Sequence, residues 1–206
     1  MTAADPRLDR WLEALIATPG LTAAGDLTEA GRIHVDDAIA AAAYVEQGPV
    51  VDVGSGGGSP GIPLASARPE LRFDLLEAQR RKCEFLENAV AAFPNVEVVC
   101  GRAEEHARGE GREAYGTAVA QALAQPPVAL EWCLPLVREG GRVVLLAGAV
   151  DVEQAAAAAA AVGGGGPEVV VLPGSERRTL LVVPKVGPTP ERFPRRPGAA
   201  RKRPLA

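Results

Sequence analysis

Short apolar runs alternate along the chain with longer stretches in which apolar residues recur at every third or fourth position. Runs rich in Val and Leu predict buried strands, whereas the wider spacing predicts helices. The predicted strands cover 49–53, 71–77, 96–100, 115–122, 142–148, 168–172 and 179–183. The predicted helices cover 6–17, 28–46, 60–67, 78–92, 126–138 and 151–162. This alternation predicts an α/β fold with a central, mostly parallel seven-stranded sheet and helices on both faces.

Composition divides the chain into three parts. We expect residues 1–47 to form an N-terminal helical extension, residues 48–186 to form the sheet domain, and residues 187–206 to form a basic tail rich in Pro and Arg. The tail contains five prolines, at 188, 190, 194, 197 and 204. Because proline interrupts helices and sheets, an extended tail is expected.

The charge distribution changes this picture. The net charge of −4 combines a tail of +5, with six basic residues and one Glu, and a remainder of −9. A basic tail on an acidic body suggests contact with a polyanion. A solvated tail that only aids solubility fits the charge equally well.

The cysteines and the N-terminus indicate the compartment. Cys83, Cys100 and Cys133 match no zinc-ligand spacing, so we expect three buried thiols in a reducing compartment and no metal. The segment MTAADPRLDRW is charged, and no apolar run approaches the ~18 residues of a membrane span. We therefore expect a cytoplasmic protein.

The segment DVGSGGGSPGIP, at 52–63, follows the first predicted strand and leads into a helix. Glycines let a backbone approach a ligand closely, and a helix start offers free N–H groups. Asp52 lies just before the glycines, where a carboxylate suits a cationic group. Glu77 ends the second predicted strand, where an acid can accept both hydroxyls of a ribose. S-adenosylmethionine fits better than a nicotinamide dinucleotide, because Asp52 would repel a pyrophosphate. A tight structural turn without a ligand is the remaining alternative.

Four segments carry a family resemblance. They are DVGSGGGSPGIPLASARPELRFDLLEAQRRKCEFL, VVCGRAEE, EWCLPLVREGGRVVLLAG and RTLLVVPKVGPTPERFPRRPGAARKRPL. Together they resemble the bacterial 16S ribosomal RNA guanine-N7 methyltransferases, the glucose-inhibited division protein B family, over roughly residues 30 to 206. The resemblance implies a Rossmann-like class I methyltransferase fold that uses S-adenosylmethionine.

The resemblance also implies roles for individual residues. It places Gly54, Gly56, Gly58 and Ser59 around the methionine part of the cofactor, Glu77 at the ribose, and Ala103 and Glu104 beside the adenine. Gln121 takes the place of an arginine near the cofactor, and Ala147 takes the place of a lysine. The RNA side therefore lacks two cations, for which Arg102 or Arg142 are the expected replacements.

The implied substrate is a guanine N7 of 16S ribosomal RNA in the 530 loop, presented as RNA or as the small ribosomal subunit. N7 carries a lone pair and no proton, so the chemistry needs no general base. Gln121 and His34 are the substrate-side candidates, and the enzyme is expected to be a monomer. Contacts to RNA are expected from the tail, with Phe193 stacking on a base, through Arg192, Phe193, Arg195, Arg196, Arg201, Lys202 and Arg203.

Three other functions remain open at this point. The substitutions at Gln121 and Ala147 fit a diverged paralogue that binds the cofactor but methylates another substrate or is inactive on ribosomal RNA. A nicotinamide-dependent oxidoreductase would use the same glycine loop, although no acid for hydride transfer is evident. A non-enzymatic RNA-binding module would use the tail alone and leave the loop unexplained.

Overall fold

A computed structural model of the chain describes residues 5–172 and 178–205. Its α-helices are α1 Pro6–Ala17, α2 Leu27–Gly31, α3 Asp37–Ala41, α4 Gly61–Ala67, α5 Arg80–Ala89, α6 Ala103–His106, α7 Pro126–Cys133, α8 Val152–Ala161 and α9 Ala199–Lys202. Its strands are β1 Val50–Val53, β2 Phe73–Glu77, β3 Val96–Cys100, β4 Tyr115–Gln121, β5 Val137–Ala147, β6 Glu168–Val171 and β7 Thr179–Pro184. Short 3₁₀ turns follow α3, α5 and α7.

The strands form one sheet in the order β3-β2-β1-β4-β5-β7-β6. β1 to β5 pair in parallel, whereas β7 runs antiparallel between β5 and β6. The predicted α/β class with a mostly parallel seven-stranded sheet is confirmed. β5 begins at Val137, five residues earlier than predicted, because Val137 pairs with Tyr115 before a register shift and a left-handed Gly140. The early part of the strand was not predicted because two glycines, Gly140 and Gly141, interrupt its apolar pattern.

Alternating side chains of the strands fill two apolar layers. Val50 and Phe73 pack on one face with Leu8, Trp11 and Ile62 from the helices. On the other face, apolar strand residues pack against α7, α8 and part of the tail, through Val51, Leu76, Leu130, Ala158 and Phe193. Helices therefore cover both faces, as predicted. Residues from the first and last parts of the chain contribute to these apolar layers. The division of the chain into an N-terminal extension, a sheet domain and a tail remains a proposal from the sequence.

The N-terminal region differs from the sequence prediction in one respect. α1 covers the predicted residues, with Asp5 accepting the Arg7 N–H at its start. The single helix predicted at 28–46 is instead broken by a π-helical turn at Arg32–Asp36. The carbonyls of Ile33 and His34 accept hydrogen bonds from Gln121 and Ser59, which compete with regular helical bonding.

Two further expectations are corrected. Cys83 and Cys100 form a disulfide, so Cys133 alone is a free buried thiol. Position 83 faces the end of β3 because α5 packs back across β2 and β3. The tail is not simply extended, since it contains α9 and its Phe193 is 3% exposed. No helix in the described ranges is long and apolar enough to cross a membrane.

Candidate cofactor and substrate cavities

Two cavities open at the carboxyl ends of the parallel strands, where open α/β sheets bind ligands. The first, which we call the cofactor cavity, has a volume of about 440 Å³ and includes Gly54, Glu77, Ala103 and Glu104 in its lining. The second cavity, of about 460 Å³, includes Asp37, Gln121, Ala147 and Arg178. Ala122 and Leu123 line both cavities. The two cavities therefore meet at the end of β4.

Glu77 is fixed in the cofactor cavity by the backbone around it. Glu77 is 5% exposed, and its Oε2 accepts the N–H of Gly56 at 3.0 Å. Oε1 accepts the N–H of Gln79 at 2.7 Å. Each carboxylate oxygen has more than one lone-pair direction, so both can still accept a hydroxyl. The residues present therefore fit the ribose of S-adenosylmethionine at the predicted position.

The glycine loop is shaped from two sides. Gly54 has φ +73°, and a Cβ there would lie 2.5 Å from Leu123, so only glycine permits this approach to the cavity wall. Gly58 has φ +107° and faces Ile62 and Trp11 rather than the cavity. The Trp11 indole donates to the carbonyl of Gly57 at 2.8 Å. Thus α1 supports the loop from behind while Gly54 borders the cofactor cavity.

Asp52 lies beneath the loop and is 0% exposed. Its Oδ2 accepts the N–H of Gly61 at 3.0 Å, whereas Oδ1 has no hydrogen-bond partner in the described part of the chain. Burial raises the pKa of this carboxyl to about 7. Asp52 lines neither cavity, so the structure does not bring it against a cofactor group directly. Its position supports the loop and the start of α4.

The two substrate-side candidates have different surroundings. Gln121 lines the second cavity, and its Oε1 lies 2.7 Å from the Ser59 hydroxyl. That hydroxyl also lies 2.9 Å from the carbonyl of His34, so Ser59 links β4 to the N-terminal region instead of lining a cavity. The His34 ring contacts Thr22 and Trp11, and burial lowers its pKa. The structure therefore brings Gln121 to the second cavity but not the His34 ring.

Arg178 lines the second cavity and was not among the candidate residues expected from the sequence. Its guanidinium pairs with Asp37 at 2.5 Å on the wall of the second cavity. Burial raises the pKa of Asp37, although the charge of Arg178 opposes that rise. Arg142, an expected replacement cation, instead pairs with Glu46 from the middle of β5, and it lines neither cavity. Arg178 immediately precedes β7, and antiparallel pairing of Thr179 with Ala147 brings this part of the chain to the end of β5. Its place before the last strand was therefore the feature of the sequence that could have indicated Arg178.

The tail residues also separate into two groups. Phe193 is buried, so its predicted stacking on a base is wrong. Arg195 binds Glu131, whose side chain is 1% exposed. The remaining basic residues of the tail are exposed, namely Arg192, Arg196, Arg201, Lys202 and Arg203. Beside the cofactor cavity, Glu104 accepts the N–H of Gly198 at 3.1 Å.

The strand order, the glycine loop after β1 and the acid that ends β2 define a class I S-adenosylmethionine-dependent methyltransferase. Solved structures show the same fold. The cofactor-bound structure of Rv0187 from MTB has a TM-score of 0.60 and 21% identity, and covers 91% of this chain and 93% of that chain. The mitomycin 7-O-methyltransferase MmcR has a TM-score of 0.63 and 15% identity, with 78% of this chain and 56% of that chain covered.

Sequence comparison identifies the family. A family model for rRNA small subunit methyltransferase G matches residues 7–180. Proteins named ribosomal RNA small subunit methyltransferase G are similar to this chain. The one from Moorella thermoacetica is 40% identical over 197 residues, and that from Symbiobacterium thermophilum is 41% identical over 202 residues. Each match covers 90% of this chain and 82% of the relative. The chain belongs to the rRNA small subunit methyltransferase G family, which confirms the resemblance and the expected cofactor class.

Proposed function

We propose that the protein transfers a methyl group from S-adenosylmethionine to N7 of a guanine in 16S ribosomal RNA, in the 530 loop. The observation that carries this proposal is the junction of the two cavities at Ala122 and Leu123. A base in the second cavity would lie next to a cofactor in the first. Ala122 has φ +51°, an unusual backbone conformation for a residue with a side chain, and such conformations concentrate at functional sites.

The protein's contribution to this chemistry is orientation. When bound, S-adenosylmethionine supplies an electrophilic methyl group on a sulfonium. Guanine N7 has a free lone pair, so no residue needs to remove a proton. Guanine O6 is a neighbouring hydrogen-bond acceptor, and Arg178 can donate to it while N7 stays free. Glu77 would hold the ribose, and Gly54 would allow close approach of the cofactor.

The exposed basic residues of the tail support binding to the RNA backbone. Phosphate contacts by arginine fix the register of an RNA without reading its sequence. The proposal therefore includes 16S ribosomal RNA, free or within the small ribosomal subunit, as partner of a monomeric enzyme in the cytoplasm.

Labelled S-adenosylmethionine tests this function. The protein is incubated with small ribosomal subunits and with naked 16S RNA, both lacking N7-methylguanine in the 530 loop, and the labelled nucleotide is identified by mass spectrometry. We expect label on one guanine N7. Lack of label from a protein that binds the cofactor would favour the diverged paralogue, for which Gln121 and Ala147 are the specific observations.

Glu77→Gln is the matched variant for this assay. It keeps the size of the side chain but removes the charge that would hold the ribose. We expect label to fall at low cofactor concentration and to recover as the concentration is raised. A loss that no cofactor concentration restores would contradict the role of Glu77.

A further inference from the structure

The tail is fixed to the body close to the cofactor cavity. Arg108 and Arg112 donate to the carbonyls of Pro194 and Phe193, and Arg195 binds Glu131. The chain then turns at Gly198, whose N–H donates to Glu104. These contacts hold the last part of the described chain as a wall of the cavity rather than as a free arm.

Three cations lie on the lining of this cavity and come from distant parts of the chain. Lys82 belongs to α5, Arg102 precedes α6, and Arg201 belongs to α9. Arg102 and Arg201 are exposed, and Lys82 is partly buried. In the described ranges 5–172 and 178–205, none of the three forms an ion pair. Arg201 packs over the Trp132 ring at 5.2 Å, which fixes its direction.

The adenosine half of the cofactor does not account for these cations. The adenosine half of S-adenosylmethionine carries no negative charge. Its proposed place beside Ala103 therefore puts a neutral group near the three cations. The two carboxylates of the lining, Glu77 and Glu104, already accept backbone N–H groups. Lysine and arginine that remain without a carboxylate at the mouth of a cavity fit phosphate groups.

We propose that Lys82, Arg102 and Arg201 form a seat for the phosphate backbone of the substrate RNA, which then lies across the mouth of the cofactor cavity. This inference rests on the proposed function. An RNA seated there lies against a bound cofactor and makes contacts that the empty cavity does not offer, so each ligand binds more tightly when the other is present. By linkage, the RNA must strengthen cofactor binding by the same factor as the cofactor strengthens RNA binding.

Calorimetric titration tests this coupling. S-adenosylhomocysteine, which has no methyl group to transfer, is titrated into the protein with and without saturating unmethylated 16S RNA. For the wild type we expect the RNA to lower the dissociation constant by about fivefold or more. Arg102→Ala/Arg201→Ala leaves Lys82 as the one cation of the three and should remove most of this factor. It should also weaken RNA binding with a salt dependence shallower by about 1.5 in log-log slope, because two phosphate contacts are lost.

Arg138→Ala/Arg142→Ala is the matched control, because it removes two cations from β5 near the start of its pairing with β4. It should keep the coupling. Arg201→Lys should retain most of it, since the charge remains. Equal coupling in Arg102→Ala/Arg201→Ala and wild type, with methyl transfer to the RNA intact, would overturn the seat but not the proposed function.

Two other outcomes also decide the matter. A wild type that neither binds nor methylates the RNA would overturn the proposed function and the seat together. Inorganic phosphate could instead tighten S-adenosylhomocysteine binding as strongly as the RNA does. In that case the three cations form a site for a small anion, and the proposal that they bind RNA is wrong.

Discussion

At the residue scale, the second cavity depends on a pair that joins distant parts of the chain. Arg178 precedes β7 and Asp37 begins α3, yet their side chains meet on the cavity wall. The Asp37 carboxylate, paired with the Arg178 guanidinium, fixes the direction in which the guanidinium N–H groups point. The pair therefore presents a positioned cation where Gln121 and Ala147 supply none.

We predict that Arg178→Gln lowers turnover at saturating cofactor by roughly 10- to 100-fold, because the base loses a positioned donor. The dissociation constant for S-adenosylmethionine should change by less than about twofold, since Arg178 does not line the cofactor cavity. Single-turnover methyl transfer and calorimetry measure the two quantities. In the wild type, Arg142 pairs with Glu46. Arg142→Gln should therefore transfer methyl groups as the wild type does. Equal losses of turnover and cofactor affinity in Arg178→Gln would contradict the prediction.

Asp52 gives the protein a dependence of stability on pH. Burial raises its pKa from 3.8 to about 7, so the folded state favours the protonated carboxyl. The stabilisation from this group is fully present below pH 3.8 and is lost as the pH rises through about 7. Relative to Asp52→Asn, we predict that the wild type loses up to ~1.4 kcal/mol of unfolding free energy per pH unit in this window.

Urea unfolding of both proteins at several pH values between 4 and 8 measures the difference. It should become constant above the raised pKa, because the wild-type carboxyl is then ionised in both states. A difference that does not vary with pH would show that the Asp52 carboxyl titrates normally.

Part of the candidate site could be expected from the sequence at this scale. Gly54 and Glu77 lie at the cofactor cavity because the loop and the strand end are local features that recur with this ligand. Arg178 could not be found in the same way, because its position depends on the antiparallel pairing of β7 with β5. His34 was expected on the substrate side, but its ring contacts Thr22 and Trp11.

At the element scale, the units that sequence patterns predict well are those that bury their own apolar residues. β3 begins and ends at the predicted residues, and so does α1. The predicted helix at 28–46 was wrong as a single helix, because its carbonyls bind Ser59 and Gln121 from distant elements. Local propensity contains no information about these partners.

The disulfide between Cys83 and Cys100 ties α5 to β3 beside the cofactor cavity. With a sequence separation of 17, closure of this loop should stabilise the fold by roughly 3 kcal/mol. We predict that a reductant lowers the free energy of unfolding by this amount, and that Cys83→Ser/Cys100→Ser shows no such response. Urea unfolding with and without the reductant measures the effect.

Alkylation of the denatured protein provides the control for the disulfide. Without reduction, mass spectrometry should find Cys133 as the only modified cysteine, since the other two are bonded. Modification of Cys83 and Cys100 without prior reduction would contradict the prediction.

At the scale of the whole molecule, the tail is part of the folded body. Phe193 is buried in one of the two apolar layers, and Lys185, which precedes the tail, donates to Thr189. The sequence did not predict this packing, because prolines and positive charge indicate an exposed segment. The packing partners are distant in the sequence; Arg195, for example, is 64 residues from Glu131.

Docking of the tail depends on the ion pair between Arg195 and Glu131. The side chains are 28% and 1% exposed, so loss of the arginine would leave a buried carboxylate without its partner. We predict that Arg195→Ala lowers the free energy of unfolding by about 3–5 kcal/mol. Arg195→Ala/Glu131→Gln should recover much of this loss, because the buried charge is removed as well. Urea unfolding measures all three proteins.

Arg192→Ala is the matched control on the same tail, because Arg192 is exposed and should contribute less than ~0.5 kcal/mol. The comparison also separates two views of the tail. A free arm that binds RNA only through its charge would tolerate loss of Arg195 as well as loss of Arg192. A docked wall of the cofactor cavity would unfold more easily in Arg195→Ala alone and bind S-adenosylmethionine more weakly, because Gly198 and Arg201 follow the lost anchor. Equal stability of the two single variants would contradict the docked tail.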